Sequence, residues 1–355
     1  MVDVGKTNKK FFLFDAAYRV VWEEVIVLPE TTDEDGFACD DLTALTAWFT
    51  ATLQKVTAIK DFCVKAINFS SYGASLVPVD AKGRPVTPLY NYLKPASEVL
   101  LQQFDSYHGY NEALAAATAS PLLGNLNAGL QLYGLKHQKP QLFARVHKVL
   151  HLPQYLSYLV TGQMVSEYTS IGCHTLLWHF EKGRYHPWVT HEALDGLLPA
   201  LAAPHTCFEV ALGSHTVWAG TGLHDSSAAL IPYLKHFTEP FALISTGTWS
   251  ITLNPFSSNA LTTQELQQDC LCYLTYGGKP VKASRLFLGH LHQNFIEKLA
   301  AHFGCAPDFF RDINFDPSLT SQLHQAQLED LFTNLPHSLA AAGFADASQA
   351  YHVLM

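Results

Sequence analysis

Gly220-Thr-Gly-Leu-His-Asp-Ser-Ser-Ala-Ala-Leu230 sets a carboxylate, Asp225, between a glycine-bearing turn and the first turn of a helix. Val217 to Ala219 read as the end of a strand, Gly220 and Gly222 supply a turn open to positive φ, and Ser226 to Leu234 carry the apolar spacing of a short helix that Pro232 ends. The unpaired N–H groups and positive end of such a helix favour an anion, whether the ionised Asp225 side chain or a phosphoryl group beside it. Two readings of Asp225 stand side by side. It is either a helix N-cap, a place aspartate commonly fills, or a general base held at a strand-to-helix junction.

A second pattern occurs twice. Met1-Val-Asp-Val-Gly-Lys-Thr-Asn-Lys-Lys-Phe-Phe-Leu-Phe-Asp15 and Phe241-Ala-Leu-Ile-Ser-Thr-Gly-Thr-Trp-Ser-Ile-Thr-Leu-Asn254 each read as apolar strand, tight turn with a glycine and a threonine, apolar strand. A hairpin turn that points N–H groups and a threonine hydroxyl outward is a phosphate cradle, and two such turns facing each other would hold a nucleotide's phosphates between two domains. The Gly5-Lys-Thr7 string is not a P-loop. A Walker loop runs into a helix, whereas Phe11 to Phe14 continue as a strand.

The chain has 355 residues, more than one core usually serves, so two domains are expected. Its formal net charge is −9, with 22 Lys and Arg against 31 Asp and Glu and no basic stripe, which argues against a nucleic-acid partner. No leader pattern and no membrane-length apolar run is read, so a cytoplasmic protein without a membrane partner is expected. Seven scattered cysteines suggest reduced thiols. His290-x-His292 and Cys270-x-Cys272 lack zinc spacing, and i, i+2 histidines in the helical stretch Ser284 to Phe303 point to different faces.

Along the chain, Lys9 to Asp15 and Tyr18 to Leu28 alternate as a hairpin. Asp40 to Val56 is an amphipathic helix with Leu42, Leu45, Trp48, Phe49, Leu53 and Val56 on one side. A strand over Lys65 to Ser70 and a turn at Asp80-Ala-Lys-Gly83 follow. From about Ser97 to Leu198 the pattern is mostly helical, and Tyr155, Tyr158, Trp178 and Trp188 within it read either as core or as a sugar-stacking surface. Ala345 to Met355 reads as a helix with no stop signal, and its apolar face is expected to be exposed.

Taken in order, these segments resemble the FGGY carbohydrate kinases, whose fold is the duplicated ribonuclease-H-like fold of actin and hexokinase. Asp3-x-Gly-x-Thr-x-x-Lys10 is similar to that family's first phosphate motif, Gly220 to Ala229 to its catalytic aspartate motif, and Ile244-Ser-Thr-Gly-Thr-Trp-Ser250 to its second phosphate motif. Asn68-Phe-Ser-Ser-Tyr-Gly-Ala-Ser-Leu-Val-Pro-Val-Asp80 with Pro88-Leu-Tyr-Asn-Tyr92 resembles its sugar-contacting strand and loop. Leu150 to Gly162 resembles its Pro-x-Tyr-Leu helix. The resemblance implies an α/β chain of two domains: a sugar-binding domain over 1–236 with a helical insertion, and a nucleotide-binding domain over 237–355. The family's glycine-rich adenosine segment has no counterpart here, so the second domain is expected to be incomplete.

The implied reaction is transfer of the ATP γ-phosphoryl group to a sugar hydroxyl with Mg²⁺ present. Asp225 would take the proton of the attacking hydroxyl, and Asp3 would orient Mg²⁺ through water. Gly5, Thr7, Lys10, Gly247 and Thr248 would hold phosphate oxygens, and Tyr72, Gly73, Asn91, Tyr92 and His224 would meet the sugar. The His-Asp pair and the Gly-Thr-Trp-Ser turn are more similar to rhamnulokinase and fuculokinase members than to xylulokinases or glycerol kinases. That implies a deoxy-ketose such as L-rhamnulose, phosphorylated at O1, with fuculose, xylulose or a polyol as alternatives. The implied partners are sugar and ATP, with a homodimer as a further expectation. A non-catalytic sugar-responsive protein and an actin-like assembly ATPase are the other classes such a fold serves.

Overall fold

A computed structural model describes residues 1–213, 215–246, 250–257, 259–314 and 346–354. The chain divides into two compact units, Met1–Leu243 with Leu253–Ser284, and Ile244–Thr252 with Arg285–Met355.

The first unit opens with the strands β1 (Val2–Val4), β2 (Lys9–Phe14) and β3 (Val20–Ile26), an antiparallel meander as the alternation predicts. A small hairpin of β4 (Glu30–Thr32) and β5 (Ala38–Asp40) leads into helix α1 (Leu42–Thr57). Asp41 starts that helix by accepting from the Ala44 amide at 2.9 Å, satisfying one of the donors a helix start leaves unpaired. Its buried face carries Leu42, Leu45, Phe49 and Val56, and full burial of each large one stabilises by about 1.5–3 kcal/mol.

The strand expected over Lys65 to Ser70 is two strands, β6 (Ala66–Ile67) and β7 (Phe69–Ser71), in different sheets. Asn68 makes the break: its Oδ1 accepts from the Phe69 amide at 2.9 Å and from the Gly222 amide at 3.2 Å, so its side chain takes up donors that a continuous ladder would have used. β7 then lies parallel to β1, and β8 (Leu76–Val79) follows it.

The stretch read as a helical insertion contains α2 (Glu98–His108), α3 (Glu112–Ala117), α4 (Ala128–Gln138) and α5 (Pro140–Phe143). It is not wholly helical, because β9 (Lys148–His151) pairs antiparallel with β8 before α6 (Leu152–Thr161), α7 (Tyr168–Ile171), the short hairpin β10 (Trp178–His179) and β11 (Arg184–Tyr185), and α8 (Pro187–His191). Tyr155, Trp178 and Trp188 are buried. They are core; Trp188 packs edge-on to Phe104 with ring centres 5.2 Å apart.

β12 (Cys207–Leu212) and β13 (His215–Gly220) form a hairpin joined to β6, and β14 (Leu223–His224) pairs parallel with β7. The central sheet therefore runs β14-β7-β1-β2-β3, with three parallel strands side by side. Helix α9 (Asp225–His236) passes through Pro232 rather than ending there, and it stops at Phe237. Of the two glycines before it, only Gly222 needs positive φ (83°), and a Cβ there would meet Pro153 O at 2.3 Å. Further on come β15 (Leu243–Ser245), β16 (Ser250–Asn254), α10 (Thr263–Gln267), β17 (Cys270–Leu274) and β18 (Pro280–Leu286), of which β17 and β18 pair antiparallel.

In the second unit, α11 (Leu288–Phe303) begins four residues later than expected because β18 extends to Leu286. His292 sits with Nε2 3.0 Å from the Tyr351 hydroxyl. The last helix, α12 (Ala347–Leu354), is not bare on its apolar face: Ala350 is fully buried in a cluster with Phe295 and Leu299. Among the described residues no helix is long and apolar enough to cross a membrane.

One buried charge ties the first unit's opening elements together. Asp40 accepts from Lys9 Nζ (2.9 Å), Lys6 Nζ (2.6 Å) and the Tyr72 hydroxyl (2.8 Å), and Lys9 is only 2% exposed. Burial works against the Asp40 charge, but these hydrogen bonds outweigh it and hold its carboxyl below the usual range. Asp40→Ala would leave the buried Lys9 without a counter-ion, and is expected to destabilise the unit by about 3–5 kcal/mol in urea denaturation at pH 7. A loss under about 1 kcal/mol would show that the network contributes little.

Candidate active site

Three parallel strands end on the same edge of the central sheet: β1 at Gly5, β7 at Tyr72 and Gly73, and β14 at Asp225. In open α/β sheets ligands bind beyond the carboxyl ends of the strands. The register fixes the spacing. Ser70 pairs with Asp3 on one side and with Leu223 on the other, so Asp3 and Leu223 lie two strand spacings apart, roughly 10 Å.

Asp225 is the first residue of α9, not its cap. The cap is His224, with extended φ −64° and ψ 133° and no side-chain capping bond. The Asp225 carboxylate folds onto the first turn, where Oδ1 accepts from the Ser226 amide at 2.6 Å and from Ser226 Oγ at 3.3 Å. Its side chain keeps 37% exposure. Partial burial pushes the carboxyl up to about 6, the bonds from Ser226 pull it down, and the charge of Asp3 adds to the rise. A group with that value is ionised at neutral pH and more basic than a solvated aspartate, which suits proton abstraction.

His224 is almost fully buried, and that burial pushes its imidazole down to about 3. It is therefore neutral, and its Nε2 at 3.3 Å from Asp225 Oδ1 makes a dipolar contact rather than an ion pair. Nδ1 lies 3.2 Å from Ser227 Oγ, Nε2 lies 3.1 Å from Cys173 Sγ, and the Tyr273 ring centre is 5.1 Å away. Its backbone amide donates to Thr169 Oγ1 at 2.9 Å. The same crowding explains Gly73, where a Cβ would stand 2.3 Å from Cys173 Sγ and 3.4 Å from the His224 ring.

Asp3 accepts from Ser70 Oγ through Oδ1 at 2.7 Å, and among the described residues its Oδ2 has no partner. One fixed and one open carboxylate oxygen fit a hydrated divalent cation. Lys10 is half-buried and directly across from Asp3. Gly5 closes the hairpin by donating to Asn8 O at 2.9 Å, and Thr7 is exposed at its tip. Lys6 turns away to Asp40. Gly247 and Thr248 lie outside the described residues, and with them the expectation that the two turns face each other.

Of the expected sugar contacts, Tyr72 and Asn91 are engaged by the protein itself. The Tyr72 hydroxyl donates to Asp40, and Asn91 donates to Ala38 O and accepts from the Leu93 amide, both at 3.0 Å. Tyr92 is half-buried, edge-on to Tyr72 with centres 6.1 Å apart. Its hydroxyl is raised by burial first, and the charges of Asp40 and Asp225 add to this against Lys6, which places it in the field of the candidate base. Ser70, Thr169, Cys173 and Tyr273 were not foreseen. A Ser-Ser pair inside the buried run Phe69 to Ser71 is the one signal that pointed to any of them.

Residues 1–201 match the N-terminal domain of the FGGY family of carbohydrate kinases. A rhamnulokinase of Halalkalibacterium halodurans is 24% identical over 174 residues, covering 48% of this chain and 36% of that protein. A rhamnulokinase of Yersinia pestis is 27% identical over 210 residues, covering 57% and 42%. The chain thus spans about two fifths of the length of these curated relatives. Among solved structures, a carbohydrate kinase from Novosphingobium aromaticivorans superposes with a TM-score of 0.73 at 25% identity, covering 93% of this chain and 70% of that one. A ligand-bound xylulose kinase from Lactobacillus acidophilus gives 0.74 at 17% identity, covering 92% and 66%, which speaks to the fold alone. The fold is the actin- and hexokinase-like ATPase fold. With its first 201 residues matching that domain, the chain belongs to the FGGY family of carbohydrate kinases.

Proposed function

We propose that the chain serves phosphoryl transfer from ATP to a hydroxyl of a sugar, with Asp225 as general base. The observation that carries this is a carboxylate raised to about 6 at the end of a parallel strand, within the field of a second carboxylate, Asp3. Asp225 would accept the proton of the attacking hydroxyl through the oxygen not held by Ser226. Neutral His224 leaves the carboxylate without a counter-ion, where an imidazolium would have paired with Oδ1. Gly73 lets the chain pass close to Cys173 and the His224 ring at the end of β7, and Gly73, His224 and Tyr92 would meet the sugar at that edge. Asp3 would hold Mg²⁺ through water; bound there, the ion would offset phosphate charge. Gly5, Thr7, Lys10, Gly247 and Thr248 would steady phosphate oxygens. Residues 1–236 would form the sugar domain and 237–355 the nucleotide domain. Among acceptors, a ketose such as L-rhamnulose, phosphorylated at O1, is favoured by the likeness to rhamnulokinases over xylulose or glycerol.

The test is a panel of ketoses and polyols, read by calorimetric sugar binding and by sugar-dependent release of ADP. Absence of both for every member would end the reading. Asp225→Asn is expected to leave sugar affinity within a few-fold and to slow transfer by about a hundredfold or more. Wild-type turnover in that variant would remove Asp225 from the mechanism. Because the folded value of Asp225 lies above its ordinary one, the ionised base is lost as pH falls through about 6, so kcat/KM should drop tenfold per unit below that point. The same shift penalises the folded state above pH 6 and the penalty fades between 6 and 4, so Asp225→Asn should not destabilise at pH 8. Asp3→Asn keeps an acceptor for Ser70 and should weaken the Mg²⁺ dependence of the rate without changing the thermal midpoint; an unchanged Mg²⁺ titration would rule Asp3 out as the metal's holder.

A further inference from the structure

Behind Asp225, away from the carboxyl ends of the strands, the first unit contains a cavity of about 240 Å³ that the proposed reaction does not use. Its walls include Asn68, Glu167, His205, Thr221, Lys235 and Tyr276. Glu167 is only 5% exposed. Its Oε2 is fully occupied, accepting from the Thr169 amide (2.8 Å), Thr169 Oγ1 (2.5 Å) and the Ser170 amide (3.2 Å). Its Oε1 is buried with no partner among the described residues. A buried carboxylate oxygen without a donor is costly, and one on a cavity wall is a place for a ligand's donor. Burial pushes Glu167 up to about 7. Its ordinary role as a helix cap uses Oε2 and leaves Oε1 unexplained.

The other walls complete a recognition pattern. Lys235 is exposed, one turn along α9 from Ile231 of the same cavity wall, with Nζ 6.0 Å from the Tyr276 ring centre. The His205 ring stands edge-on to Tyr276 with centres 5.2 Å apart. Ala202, Ala203 and Pro204 supply apolar surface. The cavity thus offers an acceptor inside, a cation on α9, and aromatic and aliphatic surface for C–H groups. We propose that it binds a small hydroxylated anion, such as a polyol phosphate, with one hydroxyl donating to Glu167 Oε1 and the anionic group meeting Lys235. The occupant has a mechanical route to the candidate base. Thr169 Oγ1, held by Glu167, accepts the His224 amide, and Thr221 and Leu223 of the cavity wall lie just before Asp225. Only this coupling rests on the kinase reading; the binding does not.

The probe is glycerol 3-phosphate, titrated calorimetrically into the protein without nucleotide, with glycerol, inorganic phosphate and glycerate as separate arms. Glycerol 3-phosphate should bind saturably, glycerol and phosphate at least about tenfold more weakly, and glycerate will tell whether phosphate or carboxylate is preferred. Lys235→Ala, a surface change that leaves the helix intact, and Glu167→Gln, which can still cap but turns a donor toward the cavity, should each weaken binding about tenfold or more. Asp225→Asn should leave it unchanged. Retained affinity in Lys235→Ala, loss of affinity in Asp225→Asn, or no saturation at 10 mM would each overturn the proposal. Failure of sugar phosphorylation would leave these binding results standing.

Discussion

The buried carboxylate of Asp40 is the constraint on which the candidate site depends. It gathers Lys6 and Lys9 from the first hairpin and Tyr72 from the end of β7, so one charge at the last residue of β5 fixes the turn after β1 and the residue after β7 at once. Those are two of the three strand ends that make the candidate site. Tyr72 in turn braces Tyr92. A hydrophobic isostere of the network would pack as well, but it would not fix the direction of the Lys6-Thr7 turn, which only directional bonds to a shared acceptor can do.

Asp40 and Asp225 are tuned in opposite ways. Asp40 is surrounded by donors and held low, while Asp225 has only Ser226 to offset its burial and is raised. The first is structural because its charge is fully matched. The second suits the proposed base because its charge is not. His224 completes the contrast, since burial strips it of charge and leaves Asp225 without a counter-ion at the place where one would have lowered its basicity.

Much of this was legible in the sequence. The hairpin over Lys9 to Leu28, helix α1 and the strand-turn-helix around Asp225 follow from local periodicity and turn residues, which short-range physics sets. What was not legible depends on distant partners. Lys9 reads only as the start of an alternating strand, and its bond to Asp40, 31 residues away, makes it a core residue. Asn68 breaks a strand because Gly222 needs its oxygen. Cys173 reads as a scattered thiol until Gly73 and His224 close around it. Pro232 reads as a helix stop, yet α9 carries it, because tertiary packing of Ser227 and Leu230 outweighs one missing bond.

The bond between Asn68 Oδ1 and the Gly222 amide spans 154 residues. β1, β2, β3 and β7 can pair among themselves within the first 71 residues, but β6 meets β13 and β7 meets β14 only after the whole intervening insertion has been made and closed into a loop. Long-range parallel pairing is slow because loop-closure entropy is lost before any contact repays it. The candidate base is thus delivered by a late step of folding, onto a β1–β7 platform that can form first. A nascent chain therefore carries a formed first hairpin long before it carries Asp225 in position, and the candidate base arrives only when the scaffold that restrains it is already complete.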